Sequence, residues 1–187
     1  MNKNDIIKSD YIYYLNIVEL KNICKKLDIS VDIYLQRDVT LIKSGYYDDK
    51  KTMIDNIRTY HNNKKPKVSI YKKKVICFRE LVSISSNDYI YFGQFKNGNK
   101  KIFKLMQLLT DGQFKFGSIG IDILRETWKK NKLITYQQFA NEWIKRNNNK
   151  KIKKEWKYLT DLHNKTINKE QWKEYRRSIA KHIMFKL

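Results

Sequence analysis

Apolar side chains recur at helical spacing from Leu15 onward. Leu15, Val18, Leu20, Ile23, Cys24 and Leu27 form one stripe, and Asp28-Ile29-Ser30 ends it. A second helix is expected from Asp48-Asp49, whose carboxylates suit a helix N-terminus, to about Tyr60. Met53, Ile54 and Ile57 would face its core side. Between the two helices, Ser30 to Tyr47 is a long connection containing Gly45. His61-Asn62-Asn63-Lys64-Lys65-Pro66 is polar, holds the only proline and is the best linker candidate.

The pattern then changes. Val68-Ser69-Ile70-Tyr71 and Val75-Ile76-Cys77-Phe78 have the look of strands. Tyr89 to Phe95 and Lys101-Ile102-Phe103 flank Asn97-Gly98, which predicts a hairpin. Leu105 to Leu109 begins a helix that stops at Asp111-Gly112. From about 119 to 187 helices are expected, with Ile121, Leu124 and Trp128 on one face and Phe139, Trp143 and Ile144 on another. Trp156, Leu159 and Leu162 follow, then Trp172, Tyr175, Ile179 and Ile183. At this spacing the tryptophans are core rather than platforms for stacked bases. The expected fold is α+β and mainly helical. Residues 1–63 form an N-terminal helix-extended-helix module. Residues 64–187 form a basic α+β domain with a central β-hairpin region (strands about 67–104) and a C-terminal basic helical region (about 119–187).

Charge adds what periodicity cannot. The 187 residues carry 40 Lys/Arg against 19 Asp/Glu, a net of +21. Self-repulsion of that size works against compactness, and a polyanionic partner is its usual explanation. Aromatics at 13% exclude a wholly disordered chain. Richness in Lys and Asn also fits translation from an AT-rich genome. That bias would raise Lys everywhere, yet residues 1–63 hold ten basic and nine acidic residues, while 64–187 hold 30 and ten. The densest basic run is Lys145-Arg146-Asn147-Asn148-Asn149-Lys150-Lys151-Ile152-Lys153-Lys154, set between Trp143 and Trp156. On the last expected helix Lys169, Lys173, Arg176, Arg177 and Lys181 lie opposite an apolar face. Such a helix suits nucleic acid, a membrane surface or an acidic protein partner.

The phrase Leu15-Asn16-Ile17-Val18-Glu19-Leu20-Lys21-Asn22-Ile23-Cys24-Lys25-Lys26-Leu27-Asp28-Ile29 resembles the first helix of SAP modules. Lys50-Lys51-Thr52-Met53-Ile54-Asp55-Asn56-Ile57 is similar to the second. The likeness covers about residues 11–60. It departs from the family in its longer connection, and in Asp28 standing where a glycine is usual. The resemblance implies a helix-extended-helix unit that binds DNA through its backbone. Lys21, Lys25, Lys50 and Lys51 are then the phosphate-contacting candidates. From charge alone Lys145, Arg146, Lys150, Lys151, Lys153, Lys154, Lys173, Arg176, Arg177 and Lys181 join them.

Leu133-Ile134-Thr135-Tyr136-Gln137-Gln138-Phe139 and Thr166-Ile167-Asn168-Lys169-Glu170-Gln171-Trp172 share a pattern with the ends of EF-hand loops. Gln stands where calcium needs a carboxylate, so no calcium site is expected. The stretch 130–175 also resembles the EF-hand-like segment of proteins that promote cullin neddylation. That likeness implies an adaptor that binds proteins.

Candidate chemistry is sparse. His61, His163 and His182 are scattered, and Cys24 and Cys77 do not make a disulfide framework. No phosphate-binding glycine loop is present. Asp111, Asp122 and Glu126 are the only modest carboxylate group near the positive charge. No cofactor, no metal and no enzymatic activity are expected. The N-terminus lacks a signal-like apolar run and no stretch is long enough to span a membrane. An intracellular, reducing compartment follows as an expectation: nucleus, cytoplasmic viral factory or virion. The sequence thus predicts a non-catalytic nucleic-acid-binding protein, DNA before RNA, similar to accessory proteins of large AT-rich DNA viruses. The alternatives are a structural protein of a ribonucleoprotein, such as a mitochondrial ribosome, and the neddylation-type adaptor.

Overall fold

The computed structural model describes residues 7, 9–76, 83–149 and 169–186. The fold is α+β and mainly helical. Chain order runs through a 3-10 helix at Asp10–Tyr14, α1 (Ile17–Lys26), β1 (Asp32–Arg37), β2 (Thr40–Tyr47), α2 (Lys50–His61) and β3 (Ser69–Lys72). It continues with a 3-10 turn at Lys73–Val75, α3 (Lys100–Leu109), α4 (Ser118–Lys129), α5 (Tyr136–Asn148) and α6 (Lys169–Lys186). The strands make one sheet in the order β2-β1-β3. No helix among the described residues is long and apolar enough to cross a membrane.

The chain divides into two compact units. One takes residues 1–33, 45–69 and 151–187; the other takes 34–44 and 70–150. A division after residue 63 is not the one the chain makes, for two physical reasons. The Asn56 carboxamide grips the backbone of Lys67 in both directions, donating to its carbonyl at 3.0 Å and accepting from its N–H at 3.2 Å. The polar stretch after α2 is therefore fastened to that helix. In addition, α6 returns to the first unit, packing on the 3-10 helix and α1 with Ala180 and Ile183 in the core.

In the first unit, α1 starts with a capping box. Asn16 Oδ1 accepts from the Glu19 N–H at 2.9 Å, and Glu19 Oε2 accepts from the Asn16 N–H at 2.7 Å. It ends in a Schellman turn, in which Ile29 donates to the Cys24 carbonyl and Asp28 to that of Lys25. Asp28 adopts φ 52°, the left-handed conformation that makes glycine the usual residue here. Leu20, Ile23 and Cys24 of α1 meet Met53, Ile54 and Ile57 of α2 in the core, as the stripes predict, but Val18, counted in the first stripe, is 65% exposed and off that face. The connection between these helices is a β-hairpin with its turn at Asp38-Val39 and not an irregular loop. Strand β2 is exposed along nearly its whole length.

The second unit centres on Tyr71, Ile102, Met106, Phe114, Leu124, Trp128, Phe139 and Trp143, all buried. Trp128 and Trp143 are core residues, as their spacing predicts; the Trp128 indole N–H donates to the Ile90 carbonyl at 3.1 Å. Other expectations need correction. The Asn97-Gly98 hairpin does not form. Tyr89 and Phe92 make only isolated bridges, to Thr135 and Ile76, and Lys101-Ile102-Phe103 belongs to α3. Asn99 decides this. Its side chain accepts from the N–H groups of Lys101 and Ile102 at 3.1 and 3.2 Å, starting a helix that buries Ile102 and Met106 one turn apart. Ile121 is also not on the buried face of α4, which consists of Gly120, Ile123, Leu124 and Trp128. Of the expected second strand, 75–78, Val75 ends the 3-10 turn and Ile76 forms a bridge, while Cys77 and Phe78 lie outside the described residues.

Candidate nucleic-acid interface

The sequence candidates separate sharply once placed. Lys50 is 3% exposed, and its Nζ donates to the Tyr13 carbonyl at 2.7 Å. It fastens the 3-10 helix to α2 and does not face phosphate. Arg176 points inward from α6. Its guanidinium donates to both Glu19 carboxylate oxygens, at 2.8 and 3.3 Å, and to the Tyr14 carbonyl at 3.1 Å. Arg146 is likewise engaged, with two donations to Glu126 and one to Glu142. The Glu126 hydrogen bonds are the first cause of its raised pKa, which holds it firmly charged. These three are structural cations, a correction to their reading as phosphate contacts.

Other candidates remain at the surface. Lys25 is exposed at the end of α1 and Lys145 near the end of α5. Lys21 lies over the Tyr47 ring at 3.3 Å from its centroid. Lys51 is exposed but pairs with Asp55 at 3.3 Å. Lys173, Arg177 and Lys181 line up at four-residue spacing on the outer face of α6, which they share with Glu170 and Glu174. That face is therefore mixed in sign. Lys150, Lys151, Lys153 and Lys154 lie outside the described residues, as do Trp156, Leu159 and Leu162.

A further basic surface lies in the second unit, on residues the sequence reading did not single out. Helix α3, Lys-Lys-Ile-Phe-Lys-Leu-Met-Gln-Leu-Leu, contains three lysines and no carboxylate. Lys100, Lys101 and Lys104 are all exposed, and Lys96 and Lys115 flank them in the adjoining turns. Residues 96–115 hold five lysines and one acidic residue, Asp111. The buried positions Ile102 and Met106 turn the lysines outward. Leu108, 71% exposed, continues the row begun by Lys100 and Lys104. Beside this surface sits an aromatic cluster. Phe103, 42% exposed, stacks on Phe116 with ring centroids 5.9 Å apart, and Phe114 and Phe95 pack edge-on or tilted behind Phe116.

Reading Lys101 to Phe103 as a strand hid this surface, because it placed Lys100 and Lys104 in different elements. The signal that reveals it is Asn99, an N-cap residue directly before the Lys-Lys pair. Phe92 is half-buried and packs edge-on against Tyr71 and Trp128. The EF-hand echo at Ile134 to Phe139 also has a local cause. Thr135 and Gln138 form the capping box of α5, which requires a Gln or Glu at that spacing without any metal. Among the described residues no group of three His, Cys, Asp or Glu side chains is placed to hold a metal ion.

No family model, no curated protein and no solved structure matches the chain.

Proposed function

We propose that this protein is a non-catalytic nucleic-acid-binding protein and that the outer face of α3, with Lys96 and Lys115, is its principal phosphate-contacting surface. One observation carries this reading. Lys100 and Lys101 occupy the first turn of a helix, the end at which the backbone dipole disfavours cations by about 0.3–1 kcal/mol each. No carboxylate in the helix offsets them. Residues 96–115 thus gather five lysines against one acidic residue at the end of the helix least suited to cations, and a polyanion is the partner that such a concentration of charge suits. Lysine contacts of this kind are point charges on flexible stems, so they read phosphate and not base sequence. Among the described residues of the first unit, Lys25, Lys173, Arg177 and Lys181 are exposed and would add to the attraction. DNA is the preferred polymer in this reading, and packaging, transcription or replication support is the role it fits.

Fluorescence anisotropy with a labelled DNA duplex at low salt tests the proposal. The chain is expected to bind, and replacing Lys100, Lys101 and Lys104 together with Gln is expected to weaken binding at least tenfold while leaving far-UV circular dichroism unchanged. Equal affinity of the variant and the parent would place the surface elsewhere. An absence of binding by the parent chain would end the reading.

A further inference from the structure

Next to the α3 surface the second unit contains a recess of about 350 Å³, a volume within the range of small-ligand sites. Its walls are Gln113, Lys115, Phe116, Ser118, Ile119, Trp143 and Asn147, with backbone at Gly117. Two of these are aromatic. Phe116 is half-buried and held by Phe95, Phe103 and Phe114, while Trp143 is 3% exposed and braced by Phe114. Neither ring can turn away without disturbing the cluster. Two are carboxamides, each carrying donors and an acceptor on one planar group. One is a cation. No carboxylate lines the recess. The side chains of Gln113, Lys115, Ser118 and Asn147 make no hydrogen bond to any other described residue.

We infer that this recess holds one unpaired nucleotide of a single-stranded nucleic acid. The walls between them match the parts of such a ligand. The fixed, half-buried ring of Phe116 suits the apolar face of a base, as aromatic rings do in other single-strand sites, with Trp143 and Ile119 as apolar floor. The carboxamides of Gln113 and Asn147 suit the mixed donor and acceptor edge that a base exposes only when unpaired. Lys115 suits the phosphate, and the first turn of α4, which receives no side-chain cap, opens on the same space through Ser118. A base inside a duplex has neither its face nor its pairing edge free, so a duplex would use the α3 lysines without entering the recess. The inference rests on the nucleic-acid reading only for the identity of the polymer.

Two measurements on the full chain test it. The first compares a short labelled single strand with the matching duplex, for the parent and for a Gln113→Ala/Asn147→Ala variant that leaves the net charge unaltered. Single-strand affinity is expected to fall about tenfold, with duplex affinity unchanged within about twofold. An equal fall for both polymers, or no fall for either, overturns the recess while leaving the α3 surface standing. The second measurement titrates AMP and UMP against tryptophan fluorescence, with inorganic phosphate in parallel. Saturable quenching by the nucleotides, lost in the double variant, supports the recess even if the chain binds no duplex. Quenching by phosphate alone to the same extent, or none by either nucleotide, overturns it.

Discussion

Lys50 and Lys51 are neighbours in sequence and opposites in role, and no feature of composition separates them. Lys50 donates into the fold, whereas Lys51 lies at the surface beside Asp55. Lys50→Met keeps the aliphatic stem but leaves the Tyr13 carbonyl without its buried donor. The expected cost is about 1–3 kcal/mol in urea unfolding, with nucleic-acid affinity unaltered. The same distinction divides Arg176 from Arg177. Arg176→Ala strips the partner from Glu19, whose side chains are 14% and 18% exposed respectively, and is expected to destabilise the first unit by about 2 kcal/mol. Arg177→Ala is expected to leave stability within about 0.5 kcal/mol, as for a surface residue. Cys24 adds a pH effect. Burial, together with the Asp48 carboxylate, pushes its thiol up from 9.0 to about 11. Folding therefore favours the protonated thiol. Its contribution is complete below pH 9 and is lost as pH rises from about 9 to about 11. Unfolding curves over that window are expected to decline more steeply for the parent than for Cys24→Val; parallel curves would show that the thiol does not titrate there.

At the scale of elements, apolar period was a good guide where two helices pack face to face. The stripes of α1 and α2 lie within a residue or two of their observed limits, because each buries one face in a core made by the other. Period was a poor guide where capping outweighed it. Three β-prone residues after an Asn-Gly turn suggested a strand, but Asn99 offers its carboxamide to two successive N–H groups, and Ile102 and Met106 then fall on one face. Asn99→Ala is expected to cost the second unit about 1 kcal/mol, and Asn99→Asp to cost little. A variant series without effect would mean that α3 does not depend on this cap. The β1–β2 hairpin escaped notice for a different reason. β2 is exposed almost throughout, so its side chains show no alternation between apolar and polar that a sequence could reveal.

At the scale of the whole molecule, folding redistributes the charge. Along the chain the first third is nearly neutral and the remainder strongly basic. Grouped by compact unit, residues 1–33, 45–69 and 151–187 carry 22 basic and 12 acidic side chains, a net of +10, and residues 34–44 and 70–150 carry 18 and seven, a net of +11. The asymmetry that pointed to the C-terminal region belongs to the order of the sequence and not to the folded units. What sets the α3 surface apart is the arrangement of charge, because the helix holds three lysines and no carboxylate of its own while Arg146 and Arg176 are absorbed by theirs. The dependence of binding on salt tests this most directly, since its slope counts the phosphates neutralised. With a DNA duplex, log K against log salt concentration is expected to be steep for the parent chain. It should become shallower by about 2–3 when Lys100, Lys101 and Lys104 are replaced by Gln, close to one for each charge removed. A slope that stays the same in the variant would contradict the assignment of α3 as the phosphate-contacting surface.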